Sequence, residues 1–333
     1  MPQNEVILDV KDLVVRYETD DGVVHAVNGV DLQLGPRKTL GLVGETGAGK
    51  TTTALSLLRL IPDPPGVVEC GRLMVAGNDM LGLPVSRLEE IRGKDISMIF
   101  QDPMTALNPV FTVGEQIAES LEIHEHLKKD EAFEKAMRML EIVGIPRSRG
   151  NEYPHQFSGG MKQRVVIAIA LACNPKLLIA DEPTTALDVT IQAQVLELMK
   201  RLKHEYDTSM IMISHDLGIV AEVCDEVAVM YAGRILEKGS LKEVFDDTKH
   251  PYTEGLFNSL PNINNRAAKL KPIQGLMPDP TDLPAGCAFA PRCAYASDEC
   301  RERRPVLAHM GGTHYVSCIA YDEPGFGIAR RKR

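Results

Sequence analysis

The chain has 333 residues, a net charge of −9 and hydrophobic residues at 44% of its positions. This length and balance suit one large domain with an appendage, or two domains, with a real apolar core. The negative charge argues against a protein whose main partner is nucleic acid, because such binding needs a basic surface. The N-terminus lacks a basic stretch followed by an apolar segment, and no apolar run approaches the roughly 18 residues of a spanning helix. We therefore expect neither a secretory signal nor a membrane-crossing helix.

Apolar and polar residues alternate at the start of the chain and again from Val30 to Leu34, which predicts antiparallel strands. Leu40 to Val43 is a short buried strand that leads into a glycine-rich loop and then a helix, Thr51 to Leu60. The later predicted elements are helical segments at Val113 to Val143, Lys162 to Cys173 and Thr190 to Tyr206, and strands at Leu177 to Ala180, Met210 to Ser214, Val227 to Tyr231 and Arg234 to Lys238. This alternation predicts an α/β fold with a mostly parallel sheet covered by helices.

The glycine-rich loop matches the phosphate-loop pattern G-x-x-x-x-G-K-[ST] in full. Its residues, with the next one in the helix, are Gly44, Glu45, Thr46, Gly47, Ala48, Gly49, Lys50, Thr51 and Thr52. Glycines let successive backbone N–H groups and the helix N-terminus face phosphates. We expect Lys50 to neutralise the β- and γ-phosphates of ATP and Thr51 to ligate Mg²⁺. A chance turn is the alternative, but the strand before the loop and the helix after it disfavour that interpretation.

Two acidic residues follow the apolar strand that begins at Leu177. Open α/β sheets bind ligands at the carboxyl ends of their strands, which is where Asp181 and Glu182 lie. Asp181 is predicted to bind Mg²⁺, through a water, and Glu182 to polarise the attacking water. Alone, this pair could be a solvated turn, but together with the phosphate loop it predicts a P-loop NTPase.

The segment Phe157-Ser158-Gly159-Gly160-Met161 resembles the signature of ABC ATPases, usually Leu-Ser-Gly-Gly-Gln. Ser158, Gly159 and Gly160 would offer a hydroxyl and N–H groups at a helix N-terminus to a γ-phosphate. Phe157 and Met161 depart from the usual residues, which leaves the rate open. With the phosphate loop and the Asp-Glu strand in order, residues 5–260 resemble the ABC ATPase family.

The resemblance assigns roles to four more motifs. Gln101 is similar to the Q-loop residue, which contacts Mg²⁺ and water beside the membrane subunits. Ala186-Leu187-Asp188 resembles the D-loop, and His215 resembles the switch histidine that touches the γ-phosphate. Tyr17 resembles the aromatic residue that stacks on adenine. A lone histidine or tyrosine is more often structural, so these roles depend on the register of the motifs.

The resemblance also implies an architecture and a mechanism. Residues 1–260 would form a nucleotide-binding domain with a RecA-like core, an N-terminal antiparallel β subdomain and a helical subdomain at about 104–172. Two such domains would pair head to tail, with ATP between the phosphate loop of one and the signature of the other. Glu182, Gln101 and His215 would then act in hydrolysis by positioning and charge stabilisation.

Three further segments are similar to oligopeptide/dipeptide importer ATPases: Phe100 to Pro109, Tyr153 to Phe157 and His250 to Thr253. The resemblance implies a peripheral subunit at the cytoplasmic face of the membrane. Its partners would be a second related ATPase subunit or a second copy, two permease subunits and, indirectly, an extracytoplasmic binding protein, with no nucleic acid. Nickel or another small solute remains an alternative cargo. The alternative from a different class is an ATP-gated regulatory subunit that senses metal or redox state.

Composition changes after about residue 260, where Pro, Gly, Cys and Asn become frequent, and residues 261–333 are predicted to form an irregular C-terminal module. Its cysteines are Cys287, Cys293, Cys300 and Cys318, spaced C-x5-C-x6-C-x17-C. An odd total of cysteines and no signal peptide disfavour a disulfide framework. Four thiolates fit a [4Fe–4S] cluster, as some relatives with this tail carry. Zinc, which prefers closer cysteine pairs, and free thiols remain alternatives.

Overall fold

The structure is a computed structural model that describes residues 6–185, 187–259 and 272–322. Its strands are β1 (Leu8–Thr19), β2 (Gly22–Leu34), β3 (Thr39–Val43), β4 (Gly66–Glu69), β5 (Arg72–Val75), β6 (Asn78–Asp79), β7 (Ile96–Ile99), β8 (Leu177–Asp181), β9 (Ser209–Ser214), β10 (Glu226–Tyr231), β11 (Arg234–Ser240), β12 (Ala308–Gly311) and β13 (His314–Val316). Its helices are α1 (Lys50–Leu57), α2 (Val85–Ile91), α3 (Pro103–Ala106), α4 (Val113–Glu125), α5 (Lys129–Ile142), α6 (Gly159–Leu171), α7 (Val189–Glu205), α8 (Leu217–Val223), α9 (Leu241–Asp246), α10 (Pro251–Asn258) and α11 (Asp298–Glu302).

Two sheets organise the described residues. The first is antiparallel, with the order β2-β1-β5-β6 and with β4 paired to β1. The second has the order β12-β13-β11-β10-β3-β9-β8-β7, and its strands from β10 to β7 are parallel. The prediction of N-terminal antiparallel strands and a mostly parallel sheet covered by helices is confirmed.

The parallel strands are buried on both faces. Successive side chains of a strand point to opposite faces. Leu177 and Ile179 of β8 therefore join the apolar cluster beneath the antiparallel sheet. Leu178 and Ala180 join the cluster formed with the helices. Because both faces are apolar, polar groups of these strands concentrate at their ends, where Asp181 lies.

Several predicted boundaries differ from the observed ones. The N-terminal strands are a single bulged strand, β1, because register shifts let it continue past the breaks in its apolar pattern. The helical pattern after Val113 is two helices, since His126 adopts a left-handed conformation (φ 55°) that ends α4. The helix predicted from Lys162 begins earlier, because Ser158 caps it.

The C-terminal part of the chain is less irregular than its composition predicts. Strand β13 pairs with β11, and β12 pairs with β13, so this part extends the parallel sheet. Its buried His314 lies with Nε2 2.8 Å from Oε1 of the buried Glu237 in β11. The domain boundary near residue 260 stays a prediction, because residues 260–271 lie outside the described ranges.

Glu243 fastens α9 to these C-terminal strands. Its carboxylate accepts hydrogen bonds from the hydroxyls of Thr313, at 2.5 Å, and Ser240, at 2.7 Å. These bonds, the Thr313 bond first, lower the pKa of Glu243 to about 2. The ionised carboxylate of Glu243 therefore stabilises the folded state relative to the unfolded chain.

We expect Glu243→Gln to lower the free energy of unfolding by about 1 kcal/mol at neutral pH, because glutamine can keep the capping-box contact but its bonds to Thr313 and Ser240 lose a charged acceptor. A folded pKa below the unfolded value of 4.5 means that the stabilisation is complete above that pH and is lost as pH falls toward 2. Urea unfolding of both proteins should thus show a difference that shrinks below about pH 5. Glu302→Gln, on the exposed α11, is the control. A difference that does not change with pH would contradict the assignment.

Candidate active site

A cleft of about 660 Å³ opens at the carboxyl edge of the parallel strands. The residues that line it are Tyr17, Val24, Ala26, Glu45, Thr46, Gly47, Gly49, Lys50, Thr51, Thr52, Gln101, Glu182, His215 and Pro280. The structure thus gathers the predicted phosphate loop, Tyr17, Gln101, Glu182 and His215 in one place. Pro280, from the C-terminal part, was not anticipated from the sequence.

The glycines of the phosphate loop allow it to lie against neighbouring strands. A Cβ at Gly44 (φ 155°) would lie 2.1 Å from the carbonyl oxygen of Met230 in β10. A Cβ at Gly49 (φ 99°) would lie 2.4 Å from the carbonyl oxygen of Ala26 in β2. Only glycine fits at such distances and at a positive φ. The loop between them, which includes Ala48, is therefore held in a tight turn at the N-terminus of α1.

Lys50 is the buried cation of the cleft. Its side-chain Nζ donates hydrogen bonds to the carbonyl oxygens of Gly44 (2.8 Å) and Glu45 (3.0 Å). Burial lowers the pKa of Lys50, and the nearby carboxylates of Glu182 and Asp181 oppose that shift. A cation fixed in this way is placed to neutralise an anionic ligand above the loop.

Asp181 ends β8 and is 2% exposed. It does not line the cleft itself, but its carboxylate shares a hydrogen bond with the Thr51 side chain, which does. Burial and the neighbouring Glu182 raise the pKa of Asp181, while Thr51 and Lys50 act against the rise. A hydroxyl beside a carboxylate is an oxygen donor set that suits Mg²⁺.

Glu182 lies at the centre of a hydrogen-bonded cluster. Its carboxylate accepts from Gln101 Nε2 at 3.0 Å and from Thr185 Oγ1 at 3.0 Å, and it lies 2.9 Å from His215 Nδ1. The three predicted catalytic residues, which follow three different strands, therefore meet. Thr185 was missed by the sequence analysis, although it lies only three residues beyond Glu182.

The environment of Glu182 keeps its carboxylate ionised. Burial raises its pKa, but the hydrogen bonds from His215 and Thr185 and the charge of Lys50 outweigh this and lower the pKa. The backbone of Glu182 is in the left-handed region (φ 46°), which is strained for a residue with a side chain. An ionised carboxylate held in this way can accept a proton from water near neutral pH.

The signature segment lies at the N-terminus of α6, outside the lining of the cleft. Ser158 caps this helix, its hydroxyl accepting from the N–H of Met161 at 3.4 Å. Phe157 is buried, and the guanidinium of Arg149 stacks 4.4 Å from its ring centre. Arg149 also donates to the sulfur of Met161 at 3.3 Å. The two departures from the usual signature thus share one partner, Arg149.

The rest of the signature packs against the segment predicted as the D-loop. A Cβ on Gly160 would lie 2.6 Å from a methyl group of Ile191 in α7, and one on Gly159 would lie 3.9 Å from Leu187. Asp188 caps α7 by accepting from the N–H of Ile191 at 3.0 Å. Ala186 lies outside the described residues. The chain therefore keeps these residues together but apart from its own phosphate loop.

The four C-terminal cysteines line one small cavity, together with His250 and Phe289. They are Cys287, Cys293, Cys300 and Cys318, and all are free thiols. Burial raises the pKa of Cys293 to about 11 and that of Cys318 to about 12. In the part of the chain that the structure describes, no group of three or more histidine, cysteine or acidic side chains is arranged to hold a metal ion. This finding gives no support to zinc or to any other metal at these cysteines.

Among the described residues, no helix combines the length and the apolar character needed to cross a bilayer.

Two family models match the chain. The ABC transporter model matches residues 27–185, and the model for the oligopeptide/dipeptide transporter C-terminal region matches residues 236–300. Oligopeptide transport ATP-binding protein OppD of Bacillus subtilis is 52% identical over 313 residues, 93% of this chain and 87% of that protein. AppD of the same organism is 48% identical over 322 residues, 96% and 98% of the two chains. A putative peptide import ATP-binding protein of Brucella melitensis is 47% identical over 330 residues, 95% and 98%.

Solved structures share the fold. The chain matches cbiO1 from Clostridium perfringens, part of the ABC transporter complex cbiONQ, with a TM-score of 0.62 and 29% identity, over 73% of this chain and 92% of that one. It matches the ATP-binding cassette MJ0796, solved as a dimer bound to ADP and Pi, with a TM-score of 0.63 and 24% identity, over 70% and 98%. The fold is that of an ABC ATPase, and this chain belongs to the family of ABC transporter ATP-binding proteins of the oligopeptide/dipeptide transporter group.

Proposed function

We propose that this chain hydrolyses ATP in the cleft at the carboxyl edge of its sheet and thereby powers the import of oligopeptides or dipeptides. The observation that carries the proposal is the cluster in which Gln101 and His215 hold the carboxylate of Glu182, in a cleft that residues of the phosphate loop, Lys50 among them, also line. The names of the relatives, which include oligopeptide transport and peptide import proteins, support the choice of cargo.

The residues divide the work of phosphoryl transfer. The N–H groups of the phosphate loop and Lys50 bind the β- and γ-phosphates. Thr51 and Asp181 would hold Mg²⁺ and Gln101 would offer a further oxygen, and the metal would supply positive charge against that of the phosphates. Glu182 accepts the proton of the attacking water, while His215 orients Glu182 and contacts the γ-phosphate.

The adenine would lie at the other end of the cleft. Tyr17 from β1 and Val24 and Ala26 from β2 line that end, with Pro280 beside them. An aromatic ring and small apolar groups suit a flat, apolar base. We assign the stacking contact to Tyr17.

A second subunit completes the site. Ser158, Gly159 and Asp188 are exposed at helix N-termini and do not line the cleft of their own chain. Helix N-termini attract phosphate, so these residues, with Gly160, can serve the ATP of a partner that docks head to tail. The partner is a related ATPase subunit or a second copy of this chain.

The permeases would bind near Gln101. Phe100, Val110 and Phe111 are large apolar residues that are 45%, 71% and 51% exposed, and exposed apolar groups mark protein interfaces. Contact here places the chain at the cytoplasmic face of the membrane as a peripheral subunit. The extracytoplasmic binding protein is then reached only through the permeases, and the net charge of −9 argues against nucleic acid as a main partner.

We also propose that the four C-terminal cysteines hold a [4Fe–4S] cluster. Such a cluster takes one thiolate per iron from four cysteines, and four thiols around one cavity match that donor set. When bound, the cluster cross-links a part of the chain with few apolar residues of its own.

Purification without oxygen should then yield a brown protein with about four irons and four sulfides per chain. We expect Cys287→Ser to lose the colour and to lower the melting temperature. Cys70→Ser, which alters a cysteine distant in sequence from the cavity, is the matched control. A colourless wild-type chain without iron, even after reconstitution with iron and sulfide, would contradict the cluster.

The cargo is tested by uptake into proteoliposomes that contain the complete transporter and its binding protein. We expect labelled di- to pentapeptides to accumulate only with ATP inside and only with an intact Glu182. Nickel uptake without peptide uptake would refute the peptide assignment and favour the alternative cargo. ATP-dependent assembly without turnover or uptake would refute the motor function and favour a regulatory subunit.

A further inference from the structure

Arg292, in the C-terminal part of the chain, forms an ion pair with Glu45 of the phosphate loop. Its Nη1 lies 2.7 Å from Glu45 Oε2 and its Nη2 lies 3.0 Å from Glu45 Oε1. The Arg292 side chain is only 6% exposed. A two-pronged, buried bond of this kind is both strong and specific in direction. Glu45 is the first variable position of the loop, directly after Gly44.

The backbone of Glu45 is held as well. Its N–H donates to the hydroxyl of Tyr252 in α10 at 2.9 Å. Tyr252 packs on Tyr231 and Phe289 with ring centres 4.6 and 5.3 Å apart, respectively. Arg292 donates to the hydroxyl of Tyr231 at 3.3 Å. A buried aromatic cluster thus holds the backbone of Glu45, whose side chain is paired with Arg292.

Arg292 is also next to residues that line the cysteine cavity, although it does not line the cavity itself. It ends the short 3₁₀ turn Ala290–Arg292 and directly precedes Cys293, while Phe289 and Ala290 line the cavity with Cys287. Its Nε donates to the carbonyl oxygen of Gln274, which fixes the guanidinium from the other side. One short segment therefore faces the cysteines on one side and the phosphate loop on the other.

The electrostatic effect of this contact is to neutralise an anion beside the ATP phosphates. Without Arg292, the carboxylate of Glu45 would repel the phosphates of ATP. It would also be free to move, which would change the conformation of the phosphate loop. In the ion pair the guanidinium of Arg292 offsets the negative charge of Glu45, so that carboxylate competes less with phosphate for Lys50. Arg292 is needed to offset this charge because Glu45 is acidic. A neutral residue at position 45 would not need a cationic partner.

We propose that Arg292 is a positioning residue for ATP binding, which acts through Glu45 and so connects the C-terminal part of the chain to the phosphate loop. The inference rests on the proposed nucleotide site and deepens it. It assigns to the C-terminal part a role in nucleotide affinity in addition to any structural role.

The test measures the Kd for a fluorescent ATP analogue on the purified full chain in four variants. We expect Arg292→Gln to raise Kd about 10-fold, as for a lost bond to a charged group. Glu45→Gln added to Arg292→Gln should bring Kd back to within about threefold of wild type, because the repelling charge is gone. Arg292→Lys keeps the charge but loses the paired bonds, so its Kd should lie between those of wild type and Arg292→Gln. Arg301→Gln, an exposed arginine of the same part, should leave Kd unchanged.

Melting temperatures of the same variants separate positioning from folding. Arg292→Gln that binds ATP as wild type does would overturn the inference. So would a double variant that binds as weakly as Arg292→Gln, since that result would mean a structural loss that does not pass through the charge of Glu45. If Lys50→Ala binds the analogue as tightly as wild type, the proposed nucleotide site itself fails, and this inference fails with it.

Discussion

Glu182→Gln is expected to lower ATP turnover at saturating ATP by a factor of about 10² to 10⁴, the usual contribution of a general base. The amide keeps the shape of the side chain and can still contact Thr185 and His215. It cannot accept the proton of the attacking water. Because the carboxylate of Glu182 is hydrogen-bonded to Gln101, Thr185 and His215, ATP binding should stay within a few-fold of wild type.

The measurement is steady-state phosphate release by the assembled complex, with the Kd for ATP determined in parallel. Glu197→Gln, on the exposed face of α7 and 77% exposed, is the matched control and should turn over normally. Turnover of Glu182→Gln within threefold of wild type would show that another residue is the base. Lost binding together with lost turnover would indicate instead that the variant disrupts the cleft.

Lys50→Ala should have the opposite effect to Glu182→Gln: it should weaken ATP binding itself, before any effect on the rate of hydrolysis. Removal of the cation loses a charge-assisted contact to phosphate, for which a weakening of about 10- to 100-fold is reasonable. It also leaves Asp181 and Glu182 without the cation that opposes their mutual repulsion. The melting temperature of the nucleotide-free chain should therefore change little or fall slightly, while the stabilisation by added ATP disappears.

Lys176→Ala serves as the control, because that lysine is 58% exposed and pairs only with Asp95 among the described residues. Isothermal titration with ATP and Mg²⁺ compares the two variants with wild type. Tight ATP binding by Lys50→Ala would mean that the nucleotide does not occupy the phosphate loop.

Much of the site could be predicted because its motifs are local. The phosphate loop is a contiguous run of residues, and its glycines are explained by Met230 and Ala26, which approach it closely. Gln101, Glu182 and His215 are distant in the chain, but each follows a parallel strand, and such strands share their carboxyl edge. Their meeting therefore follows from the topology.

Other features left no local signal. Glu45 and Arg292 are separated by 247 positions, and no spacing rule connects residues so far apart. Strands β12 and β13 are short and lie in a segment rich in Pro, Gly and Cys, so the sequence there predicts irregular structure. They form because β13 pairs with the edge of β11, a contact that the local sequence does not show. The bulges in β1 interrupt the alternation on which strand prediction depends.

The central claim is that ATP hydrolysis in this cleft drives peptide import, and the most direct measurement is ATP turnover by the complete transporter in proteoliposomes with and without external peptide. Di- to pentapeptides, delivered by the binding protein, should raise turnover several-fold, and Glu182→Gln should abolish the rise. Turnover that depends on Glu182 but does not respond to any peptide would contradict the peptide assignment. Turnover that is unaffected by Glu182→Gln would contradict the active site itself.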